Sequence, residues 1–302
     1  MEENLLYFNG LNVLDKNNYS YCVDMLRLRC SVTVDVFERY VASKLFIYKD
    51  KIETWDSTRI CDFYHNYNYS DEYCSFWFGF ISNKEKSLSS GSSLQNENKH
   101  FNLTVEFNPN KVKDNKLLLH ILKCSTNWYI KSVDFAVDIK TNILNVVGFD
   151  KSQKNCFMTY DCGGDDKTFY IGKGNNRVKV YNKTNESNLS YDLTRIEITR
   201  YFGDSDNLKI IKHWKYYGYF PELFLKDYQI SLDDLQGDKT LMGLVYAVNS
   251  GLPLHDLSRI YKNKVKEFLQ KKKHIDIDFN CFGVTLVKYL SHYFPFITDL
   301  KL

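Results

Sequence analysis

The chain has 302 residues, 44% of them hydrophobic and 25% charged, with 40 Lys and Arg against 37 Asp and Glu for a net charge of +3. That composition belongs to a folded globular protein with one large core or two modest ones, and it excludes a disordered chain. So small a net charge still leaves a polyanionic partner open, because only the distribution of the cations bears on it. The 23 Tyr and 21 Phe supply rings for core packing and, where exposed, for stacking on bases. Eight cysteines are scattered without a CxxC pair or a histidine at ligand spacing, as expected of reduced thiols in the cytoplasm. The opening MEENLLYFNG carries acids where a signal peptide needs bases, and no apolar run reaches membrane-span length. A cytoplasmic protein without a membrane partner is expected.

In chain order, YCVDMLRLR (21–29) reads as a strand, and Val34, Phe37, Val41 and Leu45 then recur at helical spacing over Val32 to Leu45. A polar stretch rich in Asn and Tyr reads as a loop. FWFGF (76–80) is a buried strand, Lys84 to Lys99 a polar connector, NLTVEFN (102–108) a strand ended by Pro109, and Leu117 to Leu122 a short helix. A long strand follows, WYIKSVDFAVDIK (128–140). Asp134 and Asp138 lie on one face of it, with only Ala136 between them.

Three short strands come next. Thr168 to Ile171 ends at Gly172, and Gly174-Asn175-Asn176 supplies residues that tolerate a tight hairpin. Arg177 to Lys183 places Arg177, Lys179, Tyr181 and Lys183 on one face, with Val178 and Val180 on the other. Leu193 to Thr199 sets Arg195, Glu197 and Thr199 against Ile196 and Ile198. The order VDMLRLR, FWFGF, NLTVEFN in the first half parallels VDFAVDI, FYIGKG, DLTRIEIT in the second, which reads as an internal duplication. In that reading Asp24 and Glu106 survive in the first half, Arg27 replaces an acid, and the first half becomes scaffold or DNA platform.

If 128–140 pairs with 193–200, then Asp134, Asp138 and Glu197 form a set of hard oxygen ligands suited to Mg2+ or Mn2+. A tyrosine beside such a metal, among cations, is equipped to attack a phosphodiester. Solvated charge on an amphipathic meander is the plainer alternative. VDFAVDI, YIGKG, RVKVYNKTNE and LTRIEITR, in that order over Asp134 to Arg200, resemble the core motifs of the replication-initiation-factor family. These are rolling-circle plasmid initiators and related relaxases, and the similarity is closest to clostridial plasmid initiators. The resemblance implies a metal-dependent tyrosine that nicks one DNA strand and stays on the 5′ phosphate. Tyr181 would be the nucleophile with Lys183 assisting it, and Asp134, Asp138 and Glu197 the ligands. The family's serine-containing loop is shortened here to Lys173–Asn176, so Tyr170 stands as a second candidate.

Beyond a boundary at Gly203–Asp206 the texture is helical. Thr240 to Asn249, a turn at Ser250-Gly251-Leu252-Pro253, and Leu254 to Leu269 read as a helix-turn-helix. Leu257, Ile260, Tyr261, Val265 and Phe268 face inward. Ser258, Arg259, Lys262, Asn263 and Lys266 face outward, and Lys271 to Lys273 follow. Val284 to Tyr293 should close this module's core. No His-x-His and no P-loop occur. The expected architecture is α+β: an antiparallel-sheet nicking domain over 1–202 and a helical DNA-reading domain over 203–302. Arg177, Lys179, Arg195, Lys262, Lys266 and Lys272 are the expected phosphate contacts, with Arg259 and Asn263 reading bases. The expected partner is duplex origin DNA. A host helicase and a second copy of the chain are the further partners considered, and an origin binder without nuclease activity is the alternative function.

Overall fold

The structure, a computed structural model, describes residues 11–55, 65–72, 74–82, 100–112, 115–149, 157–161, 167–172, 177–203, 208, 211, 214–216, 220–225, 235–249, 252 and 254–295. The expected connector Lys84–Lys99, the Gly174–Asn176 turn, the boundary at 204–206, most of the 250–253 turn and the Lys272 side chain lie outside the described residues.

The first half of the chain runs β1 (Val13–Leu14), β2 (Ser20–Thr33), α1 (Val34–Phe37), a π turn (Glu38–Ala42), α2 (Ser43–Leu45), β3 (Ile52–Trp55), β4 (His65–Ser70), β5 (Ser75–Ser82) and β6 (His100–Phe107). Two short helices follow, α3 (Pro109–Val112) and α4 (Lys116–Leu122). The second half runs β7 (Tyr129–Ile139), β8 (Val146–Phe149), β9 (Phe157–Asp161), β10 (Lys167–Ile171), β11 (Val178–Asn182), α5 (Lys183–Glu186) and β12 (Thr194–Tyr201). Then come β13 (Glu222–Leu225), α6 (Lys239–Asn249), α7 (Arg259–Lys273) and α8 (Phe279–Tyr293).

One antiparallel sheet has the order β3-β4-β5-β6-β2-β7-β12-β11-β10-β9, with β1 also on β2. The two halves trace the same path. Each begins on a central strand, β2 or β7, steps out to an edge, β3 or β9, and fills inward. This is the duplicated plan read from the sequence, with one shift: by position β5 matches β11, whereas the sequence parallel had matched it to the strand now numbered β10. The polar HNYNYS stretch is a strand rather than a loop, because Tyr67 and Tyr69 alternate inward and stack on Phe78 and Phe76 with centroids 5.0 and 4.9 Å apart.

The sheet's apolar face carries Tyr21, Val23, Leu26, Phe107, Val133, Phe135, Ile196 and Ile198, all buried. Helix α8 lies on it: Phe282 sits 5.0 Å from Phe135 and 5.4 Å from Tyr21, and Tyr293 5.0 Å from Phe107. This helix was expected to close the C-terminal core and instead belongs to the core of the sheet. Gly283 lets it approach so closely, since a Cβ there would stand 2.6 Å from the Trp214 carbonyl oxygen. A second core joins Phe224, Leu235, Leu241, Val245, Val248, Leu254, Val265, Phe268 and Leu269. Among the described residues no helix is long and apolar enough to cross a membrane.

Candidate active site

The site is built on the polar face, by strand register. Tyr181 on β11 lies opposite Arg195 on β12, which lies opposite Asp138 on β7. Lys179 lies opposite Glu197, which lies opposite Ala136, and Thr199 lies opposite Asp134. Directly opposed residues in antiparallel strands share a face. Asp134, Asp138, Glu197, Tyr181 and Lys179 therefore stand on one surface, as strand alternation demanded.

The Tyr181 hydroxyl donates to Glu197 Oε2 at 3.3 Å. Lys179 Nζ lies 4.0 Å from the centre of the Tyr181 ring and Lys183 Nζ 5.8 Å from it. Tyr181 is only 6% exposed. Burial raises its phenol far above the ordinary range, with Glu197 and Asp24 pushing the same way, so it is a neutral hydrogen-bond donor. Burial also lifts Glu197 to about 7, helped by Asp24 and opposed by Lys179. Asp134 is raised by burial as well, against the pull of Thr199 and Arg27, and its Oδ1 is buried with no hydrogen-bond partner.

Two residues occupy roles other than those expected. Arg195, expected on DNA phosphates, is fully buried. Its Nε and Nη2 donate to the two oxygens of Asp138 at 2.7 and 2.8 Å, Nη1 to Asp24 Oδ1 at 2.5 Å, and Nη2 also to Cys22 Sγ at 3.6 Å. A buried guanidinium must have its donors filled and its charge matched, and these four contacts do both. Burial lowers Arg195 to about 10, which leaves it charged at neutral pH. Burial by itself raises Asp138, but the bidentate cation outweighs that and holds it as a carboxylate. Both oxygens of Asp138 are thereby taken up. Among the described residues no three His, Cys, Asp or Glu side chains gather as a metal cage, and Asp134 and Glu197 are the acids of the expected ligand set that Arg195 does not hold.

Lys183 is not the end of a strand. The Asn182 side chain accepts from Thr184 N and starts α5 there, and buried Lys183 Nζ donates to Glu186 at 2.7 Å. Tyr170, the second candidate nucleophile, lies opposite Lys179 with the exposed Arg177 guanidinium 4.6 Å from its ring centre. The sequence offered little sign that Asp24 joins this cluster. It sits at a bulge in β2, between Val23 and Met25, and bulges re-aim side chains beside sites.

The segment expected as a helix-turn-helix holds α6 and α7. Ser258 precedes α7, which starts at Arg259, so residues 250–258 separate α6 from α7, more than the usual turn of about three or four. Arg259 and Asn263 stand exposed one turn apart. Ile260, expected inside, is 69% exposed. Lys262 is half-buried. Lys266, expected on phosphate, pairs with Glu222 at 3.1 Å.

No family model matches the chain, and no curated protein matches it. Among solved structures it overlaps a rolling circle replication initiator protein from Geobacillus stearothermophilus with a TM-score of 0.34 and 11% identity, over 83% of this chain and 97% of that one. An overlap that low carries no argument about this chain.

Proposed function

We propose that the chain initiates plasmid replication by binding origin DNA and nicking one strand through Tyr181. The observation that carries this reading is the Tyr181 hydroxyl bonded to Glu197 with a lysine against its ring, within motifs that resemble those of the replication-initiation-factor family. Tyr181 Oη would attack phosphorus and form an O–P bond to the 5′ phosphate, its proton passing to Glu197 Oε2. The bond to the 3′ oxygen breaks, and that oxygen leaves as a hydroxyl with a proton from solvent. Lys179 and Lys183 offset the charge gathering on the phosphoryl oxygens. Asp134, with its partnerless buried oxygen, and Glu197 are the residues that would hold Mg2+ or Mn2+. The bound ion would supply Lewis-acid polarisation of the phosphoryl group. Exposed Arg259 and Asn263 on α7 would read duplex origin DNA, with Lys262, Lys272 and Arg177 on phosphates. A host helicase and a second copy of the chain are the further partners considered for it.

Incubation with a supercoiled plasmid carrying its origin, with Mn2+, tests it. A covalent protein–DNA adduct should form and vanish in Tyr181→Phe. An adduct that survives Tyr181→Phe and vanishes in Tyr170→Phe would move the nucleophile. The burial of Tyr181 favours a second reading, an initiator that binds its origin without cutting, for which the same incubation gives tight binding and neither adduct nor relaxation. A conjugative relaxase would share the first reading's chemistry and differ only in the DNA site it cuts.

A further inference from the structure

Ile260 is expected on the inner side of α7 from its spacing to Tyr261, Val265 and Phe268, and it stands 69% exposed instead. The residues of α7 sort by their place around the helix. Val265, Phe268 and Leu269 are buried in the second core, Tyr261, Lys262 and Lys266 are half-buried, and Arg259, Ile260, Asn263, Lys264 and Glu267 are exposed. At about 3.6 residues per turn the five exposed positions form one continuous arc, and Ile260 falls inside it, between Asn263 and Lys264. To bury Ile260 the helix would have to rotate until Val265 and Leu269 left the core. The register of the whole helix therefore sets its exposure.

The surroundings of Ile260 are polar and cationic. Arg259 precedes it, Asn263 lies one turn on, and Lys264, four residues on, pairs with Asp238 at 3.5 Å. The sequence of α7, RIYKNKVKEFLQKKK, holds seven cations and one acid. That acid, Glu267, lies on the arc two turns beyond Ile260, toward the C-terminal end. Among the described residues of α7, Ile260 is the one exposed apolar side chain. A protein partner held by apolar contact buries several such groups together at the centre of its interface, and this arc has no second one to offer. The cation excess matches a polyanion instead.

We infer that Ile260 contacts the 5-methyl group of a thymine in duplex DNA, and so specifies an A·T pair beside the bases that Arg259 and Asn263 reach. The thymine methyl is the apolar group that base edges present in the major groove, and an aliphatic side chain reads it by contact. A recognition helix enters that groove with its N-terminal residues against the base edges, and Ile260 is the second residue of α7. Arginine suits the two acceptors of guanine and asparagine the acceptor and donor of adenine. With Ile260 between them, the first turns of α7 carry three different chemical tests of sequence on one surface. The inference rests on the reading of α7 as the element that reads duplex origin DNA, and adds to it the base pair that an aliphatic side chain demands.

The probe is a duplex that the full-length chain selects from a random-sequence pool, and the same duplex with its thymines replaced one at a time by deoxyuridine, which pairs as thymine does and lacks only the methyl. Fluorescence anisotropy in EDTA keeps binding apart from nicking. One replacement should weaken binding of the unaltered chain about 4-fold, the effect of one methyl-sized group left uncovered. Ile260→Ala should weaken binding to the intact duplex by at least as much and be indifferent to that replacement, whereas Ile260→Val should keep the sensitivity. Arg259→Ala should bind more weakly yet still respond to the lost methyl. The Tm of Ile260→Ala should not fall, since alanine is the stronger helix former at an exposed position. The inference is overturned if no single replacement matters, or if the replacement that weakens the unaltered chain weakens Ile260→Ala equally. A lower Tm for Ile260→Ala would also overturn it, because the side chain would then be buried within the protein. Failure of the α7 reading shows differently: the pool yields no preferred duplex, or Arg259→Ala and Asn263→Ala bind the selected duplex as the unaltered chain does, and then both fall.

Discussion

The two halves of the sheet follow one path with opposite charge arrangements. In the first, an arginine on the central strand meets a glutamate on its neighbour: Arg27 with Glu106, one cation to one anion, with side chains 29% and 20% exposed. In the second, the acid is on the central strand and the arginine on the neighbour. There Arg195 serves both Asp138 and Asp24 with no exposure of its own, while Asp134 and Glu197 remain on the same face. The first half is electrically closed. The second gathers Asp24, Asp134, Asp138 and Glu197 around Arg195, Lys179 and a Lys183 that Glu186 already pairs, and such an excess of acid persists only where something else, a divalent cation or a proton, completes it. The same backbone plan thus gives one half a self-satisfied ion pair and the other a chemically demanding cluster.

The largest expected effect separates the two pairs. Arg195→Met leaves Asp138 and Asp24 buried without their cation and should cost about 3–5 kcal/mol. Arg27→Met, at the partly exposed pair, should cost about 1–2 kcal/mol after screening by solvent. Urea denaturation of both variants measures the difference, and equal losses would erase the contrast between the halves.

Next in size is a pH effect confined to the second half. Glu197 is raised to about 7 by burial, above an unfolded value near 4.3, so the native state holds a proton that the unfolded state has released between those pH values. Its contribution to stability is complete below about pH 4 and disappears as pH rises to about 7, some 3 kcal/mol in all. In EDTA, the stability difference between Glu197→Gln and the unaltered protein should grow over that window in favour of the variant. Parallel pH profiles would show that Glu197 titrates normally.

Strand alternation made much of this legible. It put Asp134, Asp138, Glu197 and Tyr181 on one face once 128–140 and 193–200 were paired, and the structure pairs them directly. What it could not give is contact between distant segments. Asp24 meets Arg195 across 171 positions, through a bulge that no local pattern announces, and that contact turns Arg195 from a surface cation into a buried strut. The apolar stripe of α8 was visible too, but amphipathicity says which face is covered and not by what, so its docking on β2 and β7 went unread. Lys183 reversed for a local reason, the capping of α5 by Asn182, since Asn competes with a strand by bonding nearby backbone N–H groups.

The smallest expected effect tests the unbalanced half most sharply. Asp134 carries a buried oxygen without a hydrogen-bond partner, whereas Glu106 on the same face of the first half has both oxygens filled by Arg27. Removing a carboxylate with one oxygen left unsatisfied relieves a penalty, and removing one with both oxygens filled creates a penalty. In EDTA, Asp134→Asn should therefore stabilise the fold by about 1 kcal/mol, and Glu106→Gln should destabilise it by a similar amount. Millimolar Mn2+ should reverse the first sign. It should raise the Tm of the unaltered protein and of Glu106→Gln, because an ion that binds only the native state adds its binding free energy, and leave Asp134→Asn where it was. A scanning calorimetry series of the three proteins with and without Mn2+ reads all of this at once. If Mn2+ shifts Asp134→Asn as far as the unaltered chain, the ion is not held at Asp134, and the acid surplus of the second half serves some purpose other than metal binding.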